Sequence, residues 1–123
     1  MNITEAVENY LETILVLSKT KSDVHAIDIC TELGFSRPTV SEMIKQLKAN
    51  KLISVDELNH ITLTEEGKKV ALNTYERHIV IAKLLISIGV DKETAYEDAC
   101  KIEHDISDTT FECMKKYANG IKD

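Results

Sequence analysis

The chain has 123 residues, 43% of them apolar and 29% charged, with a formal net charge of −6, four glycines and one proline. That length holds one ordinary domain or two small modules sharing a core, and the composition excludes collagen-like or proline-rich disordered chains and disfavours a turn-rich β-sandwich. No apolar run reaches the length of a membrane span, and MNITEAVENY lacks the basic segment and apolar run of a secretory signal, so a cytoplasmic protein without a membrane partner is expected.

In chain order, the spacing of Val7, Tyr10, Leu11, Ile14 and Leu17 predicts a helix over residues 4–18, and residues 19–23 form a polar turn. A short helix over 27–33 is closed by Gly34. Ser36 caps a helix over 37–49, which tolerates Pro38 in its first turn and turns Val40, Met43, Ile44 and Leu47 inward. Residues 52–55 and 61–63 alternate as two strands of a hairpin. Thr64 caps a long helix from Glu65 to Ile88, whose first turn welcomes Glu65 and Glu66. Leu72, Tyr75, Ile79, Ala82 and Leu85 or Ile86 mark its apolar surface, and Gly89 ends it. Asp91 caps a helix over 92–105, and Ser107 caps one over 108–118.

A short helix, a glycine-containing turn, a second helix and a hairpin form the winged helix-turn-helix pattern, and a helix so placed fits the major groove. Residues 36–51 carry Arg37, Lys45, Lys48 and Lys51 against only Glu42, a local excess of three positive charges in an acidic chain. Arg37 can read guanine or clamp phosphate, and Ser41 and Gln46 can reach base edges. Pro38 and the methyl of Thr39 suit a thymine methyl; Lys45, Lys48 and Lys51 suit phosphate. Ser36 and Glu42 complete the candidate DNA face, and Asn59 and His60 mark the wing tip. The same pattern also fits a helical domain with a solvated charged face, or a winged helix that binds protein.

The helix predicted over 92–105 carries Ala95, Ala99, Ile102 and Ile106 as one stripe and Cys100, Glu103 and His104 as another face. Their i, i+3, i+4 offsets gather a thiol, a carboxylate and an imidazole, a mixed donor set for a divalent transition metal. Three donors on one helix do not close a site. His78 on the long helix, and Asn9 and Glu12 at i, i+3 on the first helix, are the candidates to complete it. Each also has a plainer reading: a lone Cys as a buried hydrophobe, His78 as a hydrogen-bonded histidine, Glu103 and His104 as solvated groups. Cys30 and Cys113 have no such company and read as structural. An odd cysteine count without an export signal does not make a disulfide framework.

From about Asn9 to Met114 the chain resembles the metal-dependent transcriptional repressors related to the diphtheria toxin repressor and the manganese transport regulator. DACKIEHDISD at 98–108 is the most specific part, and SRPTVSEMIKQL at 36–47 and ITLTEEGKKVA at 61–71 add to it. The resemblance implies a mainly α architecture: a winged helix-turn-helix DNA-binding domain over 1–64 and a helical metal-binding and dimerisation domain over 65–123. It places the metal ligands at Asn9, Glu12, His78, Cys100, Glu103 and His104. The iron-type branch often has Met first and Cys fourth, whereas the manganese-type branch has Asp and Glu there, with Glu second. This chain combines Asn9, Glu12 and Cys100. It keeps His78 of the iron branch's second site but has Ala82 and Tyr96 where that branch has Glu and His.

The implied function is that of a homodimeric repressor, activated by Fe(II) or Mn(II), that binds a palindromic double-stranded DNA operator of metal-uptake genes. Co(II), Ni(II) or Zn(II) could substitute as the metal. Two rivals stand beside it: a metal-independent winged-helix regulator, which Asn9 keeps open, and an interaction protein that does not bind DNA, which the net charge keeps open. No constellation for nucleophilic catalysis competes, so no enzyme is expected.

Overall fold

In a computed structural model that describes residues 2–121, α1 (Glu5–Thr20) begins where the Thr4 hydroxyl accepts the Val7 N–H. It buries Val7, Tyr10, Leu11, Ile14 and Leu15 on one face. It continues through the polar stretch expected to turn at residue 19, and Lys21 N–H still bonds the Leu17 carbonyl. α2 (Ala26–Leu33) starts at His25, whose N–H donates to the Asp28 carboxylate at 2.8 Å. It stops at Gly34, where φ of 72° suits a residue without a Cβ.

The Ser36 hydroxyl accepts the Thr39 N–H and opens α3 (Arg37–Ala49), which buries Val40 and Leu47. β1 (Ile53–Val55) and β2 (Ile61–Leu63) pair antiparallel, Ile53 opposite Leu63 and Val55 opposite Ile61. Between them the Asp56 carboxylate accepts the N–H groups of Leu58 and His60, and Asn59 takes a φ of 64°. The Ile61 N–H donates to the Val24 carbonyl at 2.8 Å. Leu11, Ile14, Ile29, Val40, Leu47, Ile53 and Ile61 form the core of this unit.

The Thr64 hydroxyl donates to the Lys51 carbonyl at 2.7 Å and accepts the Gly67 N–H, so one side chain ties the hairpin base to the start of α4 (Glu65–Ser87). The chain divides into two compact units, one running through Leu72 and the other starting at Asn73, a division that falls inside α4. In the second unit, Asp91 caps α5 (Lys92–Ile102) and Ser107 caps α6 (Asp108–Asn119). Ile81, Ala82 and Ala99 form its buried centre, with Leu85, Ile102, Ile106 and Met114 packed around them.

Two expectations are corrected, on the end of α5 and on Cys113. α5 ends at Ile102 rather than at residue 105, because the Glu103 and Ile106 carbonyls bond the Arg77 guanidinium and the chain turns there. On the apolar surface expected for α4, Ala82 is buried and Leu85 packs beside it, while Leu72, Ile79 and Ile86 are exposed in the single chain; Thr74 and Arg77 are buried as well. Cys30 is buried as expected, but Cys113 is exposed on α6 and does not fill the core of the described chain. Among the described residues no helix is long and apolar enough to cross a membrane.

Candidate functional site

The candidate metal residues fall on two units: Asn9 and Glu12 on α1, and His78, Cys100, Glu103 and His104 beyond Asn73. Asn9 is half-buried beside a cavity of about 310 Å³ that Ala6, Tyr10, Leu33 and Phe35 also line. Glu12 is half-buried, with one carboxylate oxygen fully shielded from solvent.

In the second unit three of the four candidates meet. Glu103 is 1% exposed. One of its carboxylate oxygens lies 3.1 Å from His78 Nδ1 and the other 3.3 Å from His104 Nε2. The His104 side chain is as buried as its partner. The His78 ring stacks on Tyr96 with centroids 5.5 Å apart, and the Lys92 ammonium lies over the Tyr96 ring, 5.9 Å from its centre. Cys100 is exposed on the last turn of α5.

Because α5 ends early, Glu103 is its C-cap and His104 sits in the following turn. A turn, not a continuous helical face, therefore brings carboxylate and imidazole together. Sequence reasoning missed Arg77, which is 6% exposed. Its Nη1 donates to the carbonyls of Glu103 (3.3 Å) and Ile106 (2.8 Å), its Nη2 pairs with Asp108, and its guanidinium lies 5.1 Å from the centre of the Phe111 ring. Only the position of Arg77 beside His78 could have signalled it.

Among the described residues no group of three or more His, Cys, Asp and Glu side chains forms a ready-made metal site. The donor chemistry nonetheless fits an ion. A buried carboxylate between two imidazoles offers hard oxygen and borderline nitrogen to a divalent cation, and a buried carboxylate needs positive partners.

Of the candidate DNA residues, Ser36 at the N-cap of α3 and Arg37, Pro38, Thr39, Ser41, Glu42, Lys45, Gln46 and Lys48 along it are all exposed. Gln46 Nε2 donates to the Glu42 carboxylate at 3.4 Å. Arg37 and Ser41 share the rim of a cavity of about 410 Å³ with His25, Ile27, Leu58 and Asn59, between the helix pair and the wing. At the wing, the His60 imidazole lies 3.1 Å from the Asp56 carboxylate and meets the His25 ring edge-on. The backbone N–H of His60 holds the Asp56 carboxyl below its ordinary range.

A helix pair, a wing and a separate helical unit bearing buried nitrogen and oxygen donors define a two-part winged-helix regulator. The chain belongs to the iron-dependent repressor family, whose members are transcriptional regulators. Residues 2–61 match the N-terminal DNA-binding domain of that family, and residues 64–123 match its metal-binding and dimerisation domain. The transcriptional regulator MntR of Escherichia coli is 33% identical over 113 residues, covering 92% of this chain and 73% of that protein. MntR of Bacillus subtilis is 31% identical over 104 residues, covering 85% and 73%. The structure of the manganese regulator SloR superposes with a TM-score of 0.81 at 29% identity, covering 99% of this chain and 56% of SloR. The chain thus spans little more than half the length of that structural relative.

Proposed function

We propose that the protein is a cytoplasmic, homodimeric repressor that binds a palindromic operator of metal-uptake genes when a divalent metal is bound. The observation that carries this reading is the buried Glu103 carboxylate set between His78 and His104 in a chain of this family. Residues 1–64 serve as the reading head and 65–123 as the metal-binding and dimerising half. On the reading head, Arg37, Ser41 and Gln46 contact base edges, Pro38 and Thr39 contact methyl groups, and Ser36, Glu42, Lys45 and Lys48 complete the DNA face.

His78, Glu103 and His104 hold the ion. The remaining donors expected from the sequence are Cys100 and, on α1, Asn9 and Glu12. A divalent ion held by these residues would supply positive charge to the shielded carboxylate and, by binding one conformation of the dimer better than others, would couple metal to operator. The effector is Fe(II) or Mn(II). SloR is a manganese regulator, while a Cys100 thiolate softens the donor set toward iron; Co(II), Ni(II) and Zn(II) are substitutes by donor chemistry.

The test is operator affinity, followed by fluorescence anisotropy, against free metal concentration for the parent and for His104→Ala. The parent should tighten with metal and the variant should not, with both remaining dimers by sedimentation. A variant that responds like the parent removes the switch and favours a metal-independent winged-helix regulator.

A further inference from the structure

We propose that Arg77 is a positioning residue, which hangs the turn bearing Glu103 and His104 from the same helix that supplies His78. The inference rests on the metal reading above. Burying a guanidinium is costly unless its donors find acceptors; here the buried Nε has none among the described residues, while Nη1 and Nη2 find specific ones. Two are main-chain carbonyls, Glu103 and Ile106, on either side of His104; the third is the carboxylate of Asp108, at the start of α6. The planar fork of an arginine can hold several acceptors in fixed relation, which a point-charge ammonium cannot.

The consequence lies in sequence adjacency. Arg77 and His78 are neighbours on α4, so the residue that fixes the height of the turn stands beside the imidazole that its carboxylate must meet at 3.1 Å. Removing the clamp frees the carbonyls that end α5 and lets Glu103 and His104 leave His78, although every proposed ligand remains. Groups that orient ligands in this way govern metal affinity without touching the ion.

A purely structural role is the alternative, because Arg77 also packs on Phe111. Phe111→Leu loosens that packing and leaves the carbonyl bonds, so it separates the two roles. The experiment is a cobalt(II) titration of the full chain, read by its visible d–d absorption and by a competing chelator. The series is the parent, Arg77→Met, Arg77→Lys, Phe111→Leu and His104→Ala, with folding checked by circular dichroism. Affinity in Arg77→Met should fall about 10–100-fold, with an altered cobalt spectrum. Arg77→Lys should recover part of the loss, and Phe111→Leu should lose thermal stability but keep the parent's affinity and spectrum.

Arginine variants that bind cobalt like the parent would overturn the role of Arg77 alone, as would a Phe111→Leu loss equal to theirs. A parent without saturable cobalt binding, or a His104→Ala that binds like the parent, would instead overturn the metal reading and this inference with it. Should Arg77→Met not fold, Arg77→Lys decides: it must bind more weakly than Phe111→Leu, and parity between them refutes the proposal.

Discussion

Replacing Gly67 with alanine sets two effects of opposite sign against each other. Alanine in place of glycine in a helix is favoured by about 1 kcal/mol on propensity alone. Here, however, a Cβ would lie 1.9 Å from the Leu52 carbonyl oxygen and 2.9 Å from its carbonyl carbon, far inside the roughly 3.5 Å at which such atoms rest. Both obstacles are main chain, so no side-chain rotation relieves them. The Leu52 carbonyl also accepts the Thr64 N–H at 3.1 Å, and the Leu52 N–H is bonded to the Leu47 carbonyl. Moving α4 away would stretch the first of these bonds and the Thr64 hydroxyl bond to Lys51. Overpacking of this kind costs about 1–3 kcal/mol, and each weakened hydrogen bond about 1 kcal/mol more. A net destabilisation of about 2–4 kcal/mol is expected. Urea unfolding of the metal-free protein measures it, and hydrogen exchange at the Thr64 amide, which should quicken, localises it. A Gly67→Ala variant as stable as the parent, or more stable by the propensity difference, would refute the close approach.

On DNA, Arg37→Ala should weaken operator binding by about 1–3 kcal/mol if it reads a base bidentately, whereas Lys48→Ala should mainly lower the salt slope by about one unit; gel-shift titrations at several salt concentrations distinguish them. Cys100→Glu should shift the ratio of manganese to iron(II) activation toward manganese, because an oxygen donor replaces a sulfur; anisotropy titrations with each metal read the ratio, and an unchanged ratio removes Cys100 from the ligands. Asp28 is held below its ordinary value of 3.8, first by the His25 N–H and then by Lys21. The folded value is thus the lower one, so its contribution is complete above 3.8 and is lost as pH falls through that lower value. Asp28→Asn keeps an acceptor without the titration, so its thermal stability should decline less steeply below about pH 4 than the parent's. Parallel declines would show that this carboxylate does not link to folding.

Much of the fold was legible because short-range chemistry decides it. Ser36, Thr64, Asp91 and Ser107 each stand where a side-chain oxygen meets an N–H three residues on, and Gly34 takes the left-handed conformation that ends α2. The end of α5 was not legible. The apolar stripe of Ile102 and Ile106 suggests a longer helix, and what stops it is a guanidinium far away in sequence. Arg77 itself goes unnoticed because nothing local reveals that its partners are main-chain carbonyls. On α4, periodicity marks the apolar residues Leu72, Ile79 and Ala82 but cannot show that tertiary contacts also bury Thr74 and Arg77. At the site, spacing grouped Glu103 with His104, but the meeting of Glu103 with His78 depends on how α5 and its turn lie against α4 within the second unit.

The bond from Ile61 to Val24 has a consequence for solubility. A two-stranded ribbon of three-residue strands is marginal alone, and the outer edge of such a ribbon is a template for strands of other molecules. By donating its N–H to Val24, Ile61 already has a partner on the side of β2 that faces away from β1. At crowded concentrations the β2 edge therefore has one donor fewer, at Ile61, to offer a strand of a neighbouring molecule.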